Sequence, residues 1–264
     1  MKQTKFCILF IILISAGVFC SCLSNDDDAQ WSTFNGVYVT VDGDNVRGYK
    51  LYTDFDAVLI PTTESLNQIL WLKDVKRAIV SFNLAENNGS TTQLEAGKTY
   101  DIILNDAYGM NKQIPTFITS IDTLSEEYQR NGKDSIALKN KKIYSFEKEE
   151  GSFYVKNGYM NVIPTFDYDP YKPVYFLLYY DGKKDIDLAN NKLSLHLYFN
   201  NSTQNPSGSI SSFISLEMPG DIYYKFQDKG LNDQDLIDVY LSAETATGSE
   251  EIHCKMALKD FMLP

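Results

Sequence analysis

The side chains able to do chemistry in this chain are few and widely separated. His196 and His253 are the only histidines, and each lies alone within a predicted strand. A zinc site needs three or four converging ligands, and the sequence has no HExxH motif or paired cysteines to supply them. We therefore expect both histidines to be structural or exposed, with His196 on the strand face opposite Leu195 and Leu197.

Closely spaced aspartates are the one arrangement that fits hydrolytic chemistry, since a glycosidase needs only two carboxylates across a cleft. Three pairs occur at predicted strand ends or turns: Asp54/Asp56, Asp167/Asp169 and Asp185/Asp187. Aspartate is common at such positions because its side chain bonds to the turn backbone. No nucleophile elbow, dinucleotide fingerprint or phosphate loop is present. The sequence thus predicts no catalytic residues, no metal site and no cofactor, with a carboxylate-pair glycosidase as the enzymatic alternative.

Aromatic residues are the most suggestive feature, with 18 tyrosines and 15 phenylalanines in the chain. The densest stretch is DYDPYKPVYFLLYYDG, which ends at Gly182. In an extended strand, Tyr175, Leu177 and Tyr179 lie on one face. If that face is exposed, it is a platform for a sugar ring or a protein partner; alternatively, another domain or a loop covers it. Tyr175 and Tyr179 are the candidate ligand residues.

The N-terminus has the features of a lipoprotein leader. Lys2 and Lys5 precede an uncharged stretch from Phe6 to Phe19, which as a helix would span about 21 Å of a bilayer core about 30 Å thick. Ser21 supplies the small residue that signal peptidases need before the cut. The stretch FCSC thus resembles a bacterial lipobox in which Cys22 is acylated. The alternative is a standard secretory cleavage site beside an incidental cysteine.

Residues 22–30 form an acidic tether that includes Asp26, Asp27 and Asp28. A cysteine followed by serine and aspartate resembles the surface-export signal of Bacteroidetes lipoproteins, although a solvated spacer has the same composition. Removal of residues 1–21 takes away two lysines and changes the net charge from −11 to −13, which excludes nucleic acid as a partner. We expect an outer-membrane lipoprotein exposed at the cell surface, with a periplasm-facing one as the alternative.

Short alternating apolar runs separated by turn residues predict an all-β protein. Residues 31–120 show strands on both sides of one predicted helix, Glu64–Leu72, which is the order of an OB-like barrel. Gln113–Thr119 is the predicted closing strand. Residues 121–264 begin with a charged linker and continue with six predicted strands, the pattern of an antiparallel β-sandwich. These strands are Tyr159–Asp167, Pro173–Asp181, Lys192–Asn201, Ser209–Met218, Leu236–Glu244 and Glu251–Lys259.

After removal of the leader and acylation of Cys22, Cys254 is the one remaining thiol, so no intramolecular disulfide is expected. In its predicted strand Cys254 shares a face with Ile252 and Met256. We expect it to be a small buried hydrophobic residue without reactivity.

Four stretches carry a family resemblance: FNGVYVTVDGD from Phe34, KRAIVSFNL from Lys76, KTYDIILNDAY from Lys98 and NGYMNVIPTFDY from Asn157. Together with the lipobox and the acidic tether, they resemble the NigD-like lipoproteins of Bacteroides and its relatives. The resemblance covers essentially the whole mature chain. It implies an N-terminal OB domain and a C-terminal β-sandwich, carries no catalytic residues, and through the family's name implies a bacteriocin-immunity role.

The expected function is therefore non-catalytic binding or protection at the outer membrane. A glycan-binding accessory lipoprotein is one alternative, for which Tyr175 and Tyr179 exposed in a shallow groove would be the sign. A fimbrial or assembly component is another, for which an unpaired sheet edge or a donor strand would be the sign.

Overall fold

The computed structural model describes residues 32–44, 46–65, 70–85, 91–110, 116–121, 141–201 and 207–264. The chain divides into two compact units, Met1–Gly109 and Met110–Pro264. Cys22 and the acidic tether lie outside the described residues, so the lipid anchor stays a prediction. Within the described ranges, no helix is both long enough and apolar enough to cross a membrane.

The first unit is a closed five-stranded barrel. Its strands are β1 (Thr33–Asp44), β2 (Gly48–Thr53), β3 (Val58–Pro61), β4 (Arg77–Leu84) and β5 (Thr99–Gly109). They close in the order β1-β2-β3-β5-β4, with β3 and β5 parallel and the other neighbours antiparallel. Alternate residues such as Val39, Leu51 and Phe82 fill the interior. The predicted OB-like barrel is confirmed.

The helix predicted at Glu64–Leu72 lies in part outside the described residues, and its described ends are 3₁₀ turns. The segment Glu64–Leu72 contains parts of two 3₁₀ turns, Thr63–Ser65 and Leu70–Leu72, and its residues 66–69 lie outside the described part. The hydroxyl of Ser65 donates to the Ile102 carbonyl at 3.3 Å and accepts from the Leu104 amide at 2.7 Å. These bonds tie the first turn to β5.

The second unit contains twelve strands and one α-helix within the described residues. The strands are β6 (Thr116–Ile121), β7 (Ser145–Phe146), β8 (Phe153–Lys156), β9 (Tyr159–Val162), β10 (Pro164–Tyr168), β11 (Val174–Asp181), β12 (Ile186–Asp187), β13 (Lys192–Asn201), β14 (Gly208–Ser211), β15 (Ile214–Glu217), β16 (Leu236–Thr245) and β17 (Gly248–Ala257), and the helix is α1 (Gly220–Asp228).

A large sheet forms one layer of this unit, in the order β17-β16-β13-β11-β6, with β12 paired to β13. Two small sheets, β14-β10-β7 and β15-β9-β8, and helix α1 form the other layer. Buried residues of both layers, among them Phe176, Leu195, Val162 and Phe226, make one core. The all-β sandwich is confirmed, although the pairs β6/β11 and β13/β16 are parallel.

The closing barrel strand predicted at Gln113–Thr119 is wrong. The strand found there, β6, pairs in parallel with β11 of the second unit. The barrel closes without it because β1 already pairs with both β2 and β4, which leaves no edge for a further strand. The two compact units divide after Gly109.

Two of the six predicted sandwich strands are each two strands in different sheets. Tyr159–Asp167 divides at Ile163 into β9 and β10, and Pro164, which has no amide hydrogen to donate, begins β10. Ser209–Met218 divides into β14 and β15. Helix α1 was not predicted, because its apolar residues Ile222, Tyr223 and Phe226 make only a short stripe.

Candidate functional site

The candidate site is the side of the large sheet that faces away from the core. We call it the outer tyrosine face and define it by Tyr175, Tyr179, His196, Tyr198, Tyr240 and Ser242. In β11, the partly exposed Tyr175, Leu177 and Tyr179 alternate with buried residues. In β13, the partly exposed residues include His196 and Tyr198. The predicted facing of Tyr175 and Tyr179 is confirmed, whereas their role in ligand binding stays a prediction.

Strand register brings three aromatic rings of this face into one stack. Tyr179 lies directly opposite His196 in the β11/β13 pair. The ring centroids of Tyr179 and His196 are 4.7 Å apart at an interplanar angle of 30°, and those of Tyr179 and Tyr198 are 4.5 Å apart at 14°. Two nearly parallel rings at such distances cannot share one face of a third ring, so Tyr179 lies between the other two. It therefore presents its edge and hydroxyl, and not a ring face, to the outside.

His196 is held by hydrogen bonds at both ring nitrogens. Its Nδ1 is 2.8 Å from Ser242 Oγ, and its Nε2 is 3.1 Å from Asp185 Oδ2. The same Asp185 oxygen accepts a hydrogen bond from the Asp181 amide at 2.7 Å. His196 lies opposite the buried leucines, as expected, and 31% of its side chain remains exposed. The bonds hold the His196 ring in place beside Tyr179.

Asp185, His196 and Ser242 are also the residue types of a hydrolase triad, but their arrangement does not favour that chemistry. In a catalytic triad the serine lies at Nε2 and the carboxylate at Nδ1, which is the reverse of the order found here. Ser242 lies within β16, between β13 and β17, so the amides around it serve the two strand ladders. They are not directed at a substrate oxyanion. The arrangement is best explained as support for the His196 ring.

A second stack lies on the neighbouring strands. The Lys192 Nζ is 3.9 Å from the Tyr240 ring centroid, a cation–π distance. Tyr240 in turn stacks on His253, with centroids 5.5 Å apart and an interplanar angle of 18°. His253 is exposed at the edge strand. The face thus carries aromatic rings that are held by their neighbours at fixed positions.

The aspartate pairs hold structural positions. Asp54 accepts two hydrogen bonds from Arg77, at 2.7 and 2.5 Å. Asp167 accepts from the Tyr144 hydroxyl at 2.8 Å, and Asp169 accepts from the Tyr171 amide at 3.0 Å. One carboxylate of each of these two pairs is thus occupied by a neighbouring side chain.

The third pair, Asp185 and Asp187, is engaged as well. Asp187 accepts hydrogen bonds from the Ala189 and Asn190 amides and from the Asn190 side chain, and the last of these is the main reason why the Asp187 pKa is lowered. Asp185 contacts His196 as described above. Within the described residues, no group of three or more His, Cys, Asp or Glu side chains is arranged to hold a metal ion. These aspartates act as turn caps and ion-pair partners.

Cys254 packs against the core together with Ile252 and Met256, on the face that the strand pattern predicts, but it is partly and not fully buried. Burial raises the pKa of its thiol from 9.0 to about 12. The thiolate is the reactive form, so Cys254 is a poor nucleophile at physiological pH.

Comparisons with known proteins address the fold. No family model matches the chain, and no curated protein matches it in sequence. A protein from Parabacteroides distasonis that carries the name toxin-related aligns at a TM-score of 0.53 and 12% identity, over 88% of this chain and 96% of its own. A protein of unknown function from Bacteroides vulgatus aligns at 0.52 and 15% identity, over 84% and 90%. The chain shares their fold.

A NigD-like immunity protein from Bacteroides caccae is also among the structural neighbours. It aligns with 88% of this chain and 99% of its own length, at 13% identity and a TM-score of 0.45. That score is too low to establish a common fold, and such low identity transfers no function. The fold assignment therefore rests on the first two neighbours.

Sequence reasoning missed most of this face. The alternation in KLSLHLYFNN, which begins at Lys192, places His196 and Tyr198 on one side of a strand. No local signal places that side beside Tyr179, or His196 beside Ser242. Those contacts arise from strand pairing between segments far apart in the chain.

Proposed function

We propose that this protein is a non-catalytic binding lipoprotein of the outer membrane and that its outer tyrosine face receives a protein partner. The observation that carries the proposal is the position of Tyr179 between Tyr198 and His196. Because neighbouring rings of the same chain hold Tyr179, its side chain would lose little entropy when a partner binds. Tyrosine is enriched at protein interfaces because it offers apolar area and a hydroxyl together.

The orientation of the rings favours a protein over a sugar as the ligand. A sugar ring stacks on an open aromatic face, and both faces of Tyr179 are covered. Its edge and hydroxyl suit the hydrogen bonds and apolar contacts of a protein surface. Tyr175 is partly exposed on the same strand face, outside the stack, and is the residue that keeps the glycan alternative open.

The proposed envelope location fits a protective role. Acylation at Cys22 would keep the two units at the membrane, since each buried methylene contributes about 0.8 kcal/mol to anchoring. A protein that intercepts a toxin needs a binding surface and no catalytic groups. Immunity to a bacteriocin, the role implied by the sequence resemblance, is therefore the form of protection that we propose.

Site-specific photo-crosslinking in intact cells tests the proposal. A photoreactive amino acid replaces Tyr175 of the full-length chain, and in a matched control it replaces Tyr224, which is 52% exposed on α1. We expect ultraviolet light to produce a discrete protein adduct from position 175 and none from position 224. Adducts only with polysaccharide would support the glycan alternative, and equal protein adducts from both positions would refute binding at this face.

A further inference from the structure

Strand β17 is an edge of the large sheet, and half of its backbone groups point away from the sheet. The Leu258 amide donates to the Asp235 carbonyl at 2.9 Å, which fixes the phase of the β16/β17 ladder. In an antiparallel ladder, every second residue bonds to the partner strand. Since Leu258 bonds toward β16, the even-numbered residues of β17 do so as well. The backbone groups of Glu251, His253 and Lys255 therefore point outward. Within the described residues, β17 pairs with β16 and with no other strand. β8 approaches β17 from the other layer but pairs only with β9.

The side chains of this edge have a symmetric charge order. Glu251, His253 and Lys255 are exposed on the outer side of the strand, with the acid and the base each two residues from the histidine. Lys255 also lies 3.4 Å from Asp238 of the same chain, but 61% of its side chain remains exposed for a second carboxylate. On the inner side, Ile252 and Cys254 pack against the core but remain partly exposed. A long strand edge with a half-covered apolar side is a surface that proteins usually protect.

We propose that β17 pairs with β17 of a second copy of this chain, antiparallel, about a two-fold axis at His253. In that register Glu251 of each copy lies directly opposite Lys255 of the other, and His253 lies opposite its symmetry mate. The outward backbone groups then form about six hydrogen bonds in three hydrogen-bonded residue pairs. Opposite charges directly across two strands stabilise the pairing.

The charges select this register over its neighbours. With the two-fold axis at Glu251, the two copies of that acid would lie opposite each other. With the axis at Lys255, the two lysines would do so. Like charges directly across two strands are unfavourable in both cases. An axis at Ile252 would pair Lys255 only with Ser249. An axis at Cys254 would place His253 opposite Lys255. The acid–base pair is fully formed only with the axis at His253.

A two-fold pairing of this kind closes at two copies, because each copy uses the same edge. The axis is perpendicular to the sheet, so the outer tyrosine faces of the two copies lie side by side on one surface. The net charge of each copy opposes association, but at physiological salt charges beyond about 8 Å are largely screened. The Glu251–Lys255 contacts lie within that distance.

Disulfide trapping in the full-length, membrane-bound chain tests the register. With Cys254→Ala as background, His253→Cys places two thiols on residues whose Cα atoms are about 5.5 Å apart, within the range for a disulfide of about 4.4–6.8 Å. Glu251→Cys and Lys255→Cys are matched controls. In the proposed register, each of these residues lies four positions along the strand from the same residue of the other copy. At about 3.3 Å per residue, the two thiols would be about 13 Å apart. We expect oxidation to give a covalent dimer from His253→Cys at a yield about tenfold above either control.

Charge exchange provides the second arm. In the His253→Cys background, Glu251→Lys places two bases opposite each other and should lower the yield of covalent dimer about tenfold. The double exchange Glu251→Lys/Lys255→Glu restores the opposite charges and should restore the yield. Equal yields from all three single cysteines, no dimer from His253→Cys, or no recovery on exchange would each overturn the proposal. An adduct whose mass differs from twice that of the chain would overturn it too, since the edge would then take another partner. This outcome is separable from the photo-crosslinking at Tyr175, which concerns the face and not the edge.

Discussion

Arg77 is 1% exposed within the barrel, and its charge is balanced there by Asp54. The guanidinium also donates to Thr40 Oγ1 at 3.3 Å. Nearby, burial raises the pKa of Tyr38, although the positive charge of Arg77 opposes that shift. An arginine at this depth is tolerated because its partners satisfy it.

Removal of the carboxylate should therefore destabilise the first unit strongly. We predict that Asp54→Ala lowers the free energy of unfolding by about 3–5 kcal/mol, since it leaves a buried charge without its partner. Urea unfolding measures this value. The control is Arg47→Ala, which removes an ion pair with Asp44. Because 77% of the Arg47 side chain is exposed, this loss should cost less than about 1 kcal/mol. Similar losses from both variants would contradict a special role for the buried pair.

The Cys254 thiol gives a prediction that depends on pH. Burial raises its pKa from 9.0 to about 12, so the folded chain holds the proton through the range in which an unfolded chain loses it. Iodoacetamide should therefore label folded Cys254 slowly at pH 8 and rapidly after unfolding. Val46→Cys, at a 93% exposed position, is the control that should react quickly in the folded chain. Equally fast labelling of both thiols in the folded chain would show that Cys254 is accessible.

At the scale of elements, the β8–β9 hairpin is fixed by the C-terminal segment. The Gly158 amide donates to the Asp260 carbonyl at 2.9 Å, and Lys156 forms an ion pair with Asp260 at 2.9 Å. Gly158 has φ +77°, and a Cβ there would lie 2.8 Å from the Leu263 amide nitrogen. A side chain at this position would therefore force the hairpin or the C-terminal segment to shift.

Two features disfavour a side chain at Gly158: its positive φ and the close approach of the C-terminal segment. Alanine substitutions at two glycines separate these effects. Gly151 also has a positive φ, +85°, but a Cβ there meets nothing within 4 Å. We predict that Gly151→Ala costs about 1–2 kcal/mol of unfolding free energy for the backbone conformation alone. Gly158→Ala should cost about 1–3 kcal/mol more, because the backbone of the C-terminal segment must move. Equal losses in thermal or urea unfolding would show that the segment is free to shift.

The elements also show what the sequence could predict. Period-two alternation gave the facing of Tyr175 and Tyr179 and the inner position of Cys254, because facing is a local property of a strand. Sheet membership is not local: β6 joined the second unit and not the barrel, and Tyr159–Asp167 divided between two sheets. The stack around Tyr179 depends on pairings of the same non-local kind. The candidate site was therefore predicted in part, as two tyrosines without their neighbours.

For the whole molecule, the predicted lipid at Cys22 would determine where both units act. We predict that Cys22→Ala abolishes acyl labelling and moves the chain from the membrane fraction to the soluble fraction, since a charge of −13 gives no attraction to anionic lipid. Cys254→Ala is the control that should leave labelling unchanged. Labelling that persists in Cys22→Ala would remove the anchor from the account.

Binding of a protein at the outer tyrosine face can be measured as the affinity of the partner cross-linked at position 175. Its dissociation constant should be measured for the wild-type chain, for Tyr179→Ala and for Tyr224→Ala. Loss of a central, ordered tyrosine typically costs about 2 kcal/mol or more, so Tyr179→Ala should weaken binding about thirtyfold. Tyr224→Ala should leave the affinity unchanged. Equal affinity in all three chains would contradict the account.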